Sequence, residues 1–156
     1  MGADHEKILN LGRRQVKLKI KRVEHIAIAV HNMAESMAML KNTLGLELDY
    51  EETIGHTKLA MFPVGETSLE LLEAESPTSP VADWIEERGQ SLFHLCFEVE
   101  DIDAEYQALK KAGYTAINPP ADVERDGRIV ARAMYALDPD GISVEMFQEF
   151  HDLVSR

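Results

Sequence analysis

Two glutamates sit inside apolar strings where a carboxylate is out of place: Glu70 in TSLELL and Glu145 in ISVEMF. Two histidines open apolar strings of a matching kind, His25 in HIAIAV and His94 in HLCFEV. A carboxylate in the middle of an apolar strand is costly unless it is paired or bound to a metal. Two neutral imidazoles and two carboxylates balance the charge of one divalent cation. Nitrogen and oxygen donors of this hardness suit Zn, Co, Ni, Mn or Fe. Taken singly, a strand histidine is more often a hydrogen-bonded core residue, and a strand glutamate more often lies at a salt-bridged rim. Two of each at matching points need a common explanation, and one metal ion on His25, Glu70, His94 and Glu145 supplies it.

The elements that must position these four residues repeat. Val23–Val30 is expected to be a strand, apolar on both faces apart from Glu24 and His25. Asn32 is an N-cap with Glu35 in the capping-box position, and Met33, Met37, Leu40 and Leu44 follow at helical spacing up to Gly45. Strands are expected at Leu46–Thr53, Lys58–Pro63 and Thr67–Glu73. Residues 74–90 form a connector opened by Ser76, Pro77, Ser79 and Pro80, with a short helix from Val81 to Arg88 stopped by Gly89. The order then starts again: a strand at Leu92–Val99, an N-cap at Asp101, a helix stripe of Ile102, Tyr106 and Leu109 ending at Gly113. Strands near Tyr114–Ile117, Ile129–Leu137 and Ile142–Gln148 complete it, with Asn118–Gly127 read as a polar loop.

Strand, helix and three strands therefore occur twice, and the residues align as well as the elements. HIAIAVHNM matches HLCFEVEDI, and TSLELL matches ISVEMF. Such a repeat predicts an α+β fold of two tandem βαβββ modules whose curved mixed sheet surrounds the metal site. The boundaries read from sequence are a basic leader at 1–22, modules at 23–73 and 91–148, the connector between them, and a tail at 149–156. Side chains alternate along a strand. His25 then shares a face with Ala27 and Ala29, His94 with Leu92, Cys96 and Glu98, Glu70 with Ser68 and Leu72, and Glu145 with Ser143 and Phe147.

The 156 residues carry a formal charge of −12, so nucleic acid and anionic membranes are not expected partners. The charge is uneven: Lys7, Arg13, Arg14, Lys17, Lys19, Lys21 and Arg22 crowd the leader against Asp4 and Glu6, and a solvated segment is the simplest expectation there. No apolar run approaches the ~20 residues of a membrane span. Neither a secretory h-region nor a myristoylation pattern is recognisable, and the single cysteine, Cys96, fits a reducing, cytoplasmic setting.

At these residues the sequence resembles the vicinal oxygen chelate superfamily, and within it the methylmalonyl-CoA epimerases. The resemblance spans about Val23 to Gln148 and is carried by VEHIAIAV, LKNTLGLEL, MFPVGETSLELLE, SPTSPVADWIEERGQSLFHLCFEVEDIDA and SVEMFQ. It implies one divalent metal on His25, His94 and Glu145, a homodimer, and an acyl-CoA as the small-molecule substrate. Position 70, often Gln in those epimerases, is Glu here, as in the two-His, two-Glu site of glyoxalase I. Those epimerases also carry a catalytic glutamate on the third strand. Here Lys58 falls near its place, within IGHTKLA, and LDPDG stands at 137–141 where an His-Pro-Lys sequence is usual.

The chemistry implied is abstraction of the α-proton of a 2-substituted malonyl-CoA with a metal-stabilised enolate, Glu70 and Glu145 being the candidates for moving the proton. Lys58 could serve as a base only with a lowered pKa; a surface lysine on an edge strand is the plainer reading. A glyoxalase I-like lactoylglutathione lyase, an iron dioxygenase with a His-His-Glu triad, and a non-catalytic small-molecule-binding member are the alternatives. Four intact ligands weigh against the last two, and the connector against the first. His5, His31, His56 and His151 are expected at the surface, Cys96 as a small buried hydrophobe, and Met61, Met134 and Met146 in the core.

Overall fold

A computed structural model describes residues 16–113, 118–137 and 143–150. Its elements run β1 (Ile20–Ala29), α1 (Met33–Asn42), β2 (Tyr50–Ile54), β3 (Thr57–Val64), β4 (Thr67–Ala74), α2 (Pro80–Arg88), β5 (Ser91–Val99), α3 (Ile102–Lys111), β6 (Ala121–Arg125), β7 (Arg128–Leu137) and β8 (Ser143–Glu149). βαβββ thus occurs twice, with α2 in the connector, and the fold is α+β with mixed strand pairing. The chain forms two compact units: Arg22–Cys96, and Phe97 onward together with the stretch ending at Lys21.

In the unit of residues 22–96 the strand order is β2-β3-β4-β1-β5. β1 and β4 are parallel, with Ala27 opposite Glu70 and Ala29 opposite Leu72. β3 pairs antiparallel with β4, Met61 facing Glu70 and Leu59 facing Leu72, and β2 pairs with β3, Tyr50 facing Met61 and Glu52 facing Leu59. One face is closed by α1, where Val30, Met33, Leu40, Ala60, Phe62 and Leu71 pack together. The other carries Ala27, Ala29, Leu59 and Leu72, and α2 covers one end of it with Val81, Trp84 and Ile85. Both helices obey their sequence signals. Asn32 Oδ1 accepts from Glu35 N at 3.1 Å, and Ser79 caps α2 with Pro80 in its first turn and Gly89 after its last.

The other unit contains β8, β7 and β6, in that order, with α3. Its core is Val99, Ile102, Leu109, Met134 and Met146. Asp101 caps α3 by accepting from Ala104 N at 3.0 Å. In the β7–β8 register Glu145 lies opposite Tyr135 and Met134 opposite Met146.

Several strand limits differ from those read in the sequence. β1 starts at Ile20, and the second strand is confined to Tyr50–Ile54. Leu46 and Leu48 pack against the core beneath α1 instead, Leu46 N bonding back to Leu40 O at 3.0 Å. Asn118–Gly127 is not all loop: Ala121–Arg125 is β6, an edge strand whose polar residues hid it. Its turn is Asp126-Gly127, with φ of 51° and 72°. Both central residues of a type I′ hairpin need positive φ, and Asp-Gly is among its strongest sequence signals. The strand read at Tyr114–Ile117, most of LDPDG, and Ile142 lie outside the described residues.

Candidate metal centre

Strand alternation places His25 and Glu70 on one face, and β5 brings in His94. His25 Nε2 lies 2.8 Å from His94 Nε2 and 3.3 Å from Glu70 Oε2, and His94 Nε2 lies 3.7 Å from the same oxygen. All three side chains are buried, at 6%, 3% and 7% exposure. Small neighbours make the room: Ala27, fully buried, stands beside Glu70 in the register. Met61 flanks Glu70 on the other side. Glu145, 6% exposed in the middle of β8, belongs to the other unit. Neighbouring ligands held ~2.1 Å from a cation lie about 3.0 Å apart at a right angle and about 3.4 Å apart in a tetrahedron, a range set by ordinary metal–nitrogen and metal–oxygen bond lengths. The observed spacings straddle it. A carboxylate and two imidazoles, dry and mutually this close, are a donor set that a divalent ion fits.

Behind the first imidazole, Glu24 Oε2 contacts His25 Nδ1. Cys96, fully buried, brings its sulfur close as well: the candidate ligand atoms of Glu24, His25 and Cys96 all lie within 4.8 Å of one another. In the sequence Glu24 reads only as a polar interruption of the strand.

The third-strand lysine is not part of this site. Lys58 is on the face of Ala60 and Phe62, the α1 side of the sheet, because Leu59 and Met61 take the Glu70 face. Its ammonium lies 3.8 Å from Glu73 and 3.6 Å from Glu75 and is 47% exposed. Lys58 is therefore the surface lysine of the plainer reading, paired and half-exposed on the α1 side rather than buried at this site. The β3 positions that do face the site are Met61 and, two residues before it, Leu59. Across from Leu59 on β2 stands Glu52, on the Glu70 face by register. That carboxylate was invisible until register was known. The signal lay in Gly55-His56: Ile54 pairs with Thr57 around this two-residue turn, with Gly55 at φ 58°, and a two-residue turn fixes which residues face each other.

Comparison with known proteins defines the class. The model of the Glyoxalase/Bleomycin resistance protein/Dioxygenase superfamily matches residues 22–146, and the chain belongs to this superfamily. It is 35% identical over 97 residues, 60% of this chain and 72% of the relative, to an ethylmalonyl-CoA/methylmalonyl-CoA epimerase of Cereibacter sphaeroides. It is 32% identical over 126 residues, 79% of this chain and 94% of the relative, to the uncharacterized protein YraH of Bacillus subtilis. The crystal structure of methylmalonyl-CoA epimerase from Mycobacterium tuberculosis shares the fold, with a TM-score of 0.78 over 92% of this chain and 97% of that one at 18% identity.

Proposed function

We propose that this chain is a metal-dependent epimerase of a 2-substituted malonyl-CoA thioester. The observation that carries the reading is the buried convergence of His25, His94 and Glu70, in a chain related to an acyl-CoA epimerase. His25, His94, Glu70 and Glu145 would hold the ion. The repeat supports Glu145 as the fourth member, since it matches Glu70 within ISVEMF and TSLELL.

Epimerisation removes the α-proton from one face of the carbon and returns a proton to the other. A divalent ion bound here supplies Lewis acidity towards the negative charge that develops on the thioester oxygen. Glu70 takes the proton on one side. Glu145, from the second module, is the partner acid on the other. A carboxylate tightly engaged as a ligand is a weak base, and the Glu70 face carries a further carboxylate, Glu52. Apolar Leu59, Leu72, Ala27 and Ala29 keep this part of the face dry, which strengthens every charge interaction within it.

The test is solvent exchange. Metal-reconstituted protein in deuterated water should replace the α-proton of methylmalonyl-CoA, and metal-stripped protein should not. A second reading, a glyoxalase I-like lactoylglutathione lyase, is favoured by Glu at position 70. It wins if the loaded protein leaves the malonyl thioester untouched and turns over the glutathione–methylglyoxal adduct. We also propose a homodimer, which light scattering at micromolar concentration tests; a monomer there refutes it.

A further inference from the structure

We propose that Glu24 is a positioning residue of the metal centre: its carboxylate accepts the Nδ1 proton of His25 and so aims the Nε2 lone pair at the cation position. The proposal rests on the metal reading above and goes beyond it by assigning a role to a residue outside the ligand set.

The argument is one of donors and acceptors. Glu24 Oε2 meets His25 Nδ1, and an ionised carboxylate only accepts hydrogen bonds. Nδ1 therefore carries the ring proton. A neutral imidazole has one such proton, so Nε2 presents a lone pair. That lone pair lies 3.3 Å from Glu70 Oε2, another acceptor. His94 Nε2, 2.8 Å from the same nitrogen, is the third donor atom at this point, and a cation held by the three would satisfy the lone pair and the carboxylate together. A carboxylate on the far nitrogen also raises the basicity of a ligating histidine and holds its ring in plane.

The repeat isolates this device. The position before His94 that matches Glu24 is Phe93, whose ring lies 5.5 Å from the His94 ring. The two imidazoles are thus supported differently, one by a carboxylate and one by an aromatic ring. Glu24 is 21% exposed, shielded enough for a firm hydrogen bond. Cys96 stands beside this pair, so the competing assignment is that Glu24 and Cys96 ligate a cation directly on the Nδ1 side.

The experiment compares the full-length wild type with Glu24→Leu, Glu24→Gln and Cys96→Ser. Histidine tautomers are read in the metal-free proteins by ¹⁵N NMR, zinc affinity by competition with a chromogenic chelator, and ligand type by the absorption of the cobalt(II) protein. Expected are an Nδ1–H His25 in the wild type, its loss in Glu24→Leu, and zinc affinity weaker by about 10–100-fold in that variant, the usual cost of removing such a support. Glu24→Gln keeps an accepting oxygen and should keep the tautomer while losing about 10-fold in affinity, at the low end of that range. This contrast separates positioning from general destabilisation, and Glu24→Gln alone decides the matter if Glu24→Leu does not fold. The proposal is overturned if a folded Glu24 variant binds zinc as tightly as the wild type, or if His25 stays Nδ1–H in Glu24→Leu. It is also overturned if cobalt shows a thiolate band that Cys96→Ser abolishes. A wild type that takes up no zinc would sink the metal reading instead, and the tautomer comparison would still decide the role of Glu24.

Discussion

Glu70→Gln separates the two roles given to Glu70. The amide has the size of the carboxylate and retains an oxygen in the same place, so the spacings of 3.3 and 3.7 Å to the imidazole nitrogens are expected to survive. What is lost is charge and basicity. At a separation of about 3.5 Å and an effective dielectric of about 20, each unit of opposite charge near Glu70 is worth roughly 4–5 kcal/mol of attraction. Much of that is offset, because burying an amide costs far less than burying a carboxylate. Metal affinity therefore falls, and saturating metal restores occupancy. Proton transfer is not restored, since an amide takes no proton at neutral pH. A general base contributes about 10²–10⁴ in rate, and a loss of 10² corresponds to about 2.7 kcal/mol of barrier. The assay is the decay of the α-proton signal of methylmalonyl-CoA in deuterated water, with metal content measured on the same sample. Unchanged exchange at full occupancy refutes Glu70 as a base and leaves it a ligand. Exchange that is lost together with the metal, and returns when metal is added, refutes it equally.

Three further substitutions test the placement of side chains. Lys58→Met should leave exchange within about twofold and stability within about 1 kcal/mol, as expected for an exposed ion pair; a large loss of exchange would return Lys58 to the mechanism. Glu52→Gln should slow exchange by about 10² if that carboxylate moves a proton, with metal content unaltered; equal rates in variant and wild type exclude it. Phe62→Ala empties the core under α1, where Phe62 is fully buried, and should cost about 3–5 kcal/mol. Calorimetry should then show a fall in melting temperature on the order of 10 °C, and a shift of a degree or two would mean that the cavity collapses.

The parts of the fold governed by local rules were legible from sequence. Asn32, Ser79 and Asp101 announce their helices because a short polar side chain answers an amide the helix leaves open. The apolar runs around His25 and His94 mark covered central strands, and alternation alone put His25 with Ala27 and Ala29. Edge strands were harder. β6 reads ADVER, with no apolar face to declare it, so the sequence there reads as loop, and the signal in the Asp-Gly turn passes unused. Lys58 illustrates a different limit. One residue of strand register decides which face a side chain takes, and distance along the chain from a missing glutamate does not supply that parity. Glu52 was missed for the same reason. Glu24 was missed because a residue beside a ligand along the strand is expected to point away from it, whereas its carboxylate is long enough to reach back to the Nδ1 of its neighbour.

The repeat explains why the candidate ligands come in pairs, and its imperfections mark where the two halves differ around them. The malonyl thioester proposed as substrate is not symmetric, and two identical half-sites would present the same groups to its two different oxygens. Along the matched strands, His25 and His94 are the same residue, but Glu24 faces Phe93 in the alignment, Ala27 faces Cys96, and Ala29 faces Glu98. Glu98 is buried and meets Lys21 at 3.1 Å, whereas Ala29 lies under the apolar cap that α2 provides. An apolar wall on one strand therefore corresponds, on its counterpart, to a buried carboxylate paired with a half-exposed lysine. The repeat places a histidine and a glutamate in each half, and the difference between their immediate neighbours is what makes one imidazole and one glutamate unlike the other.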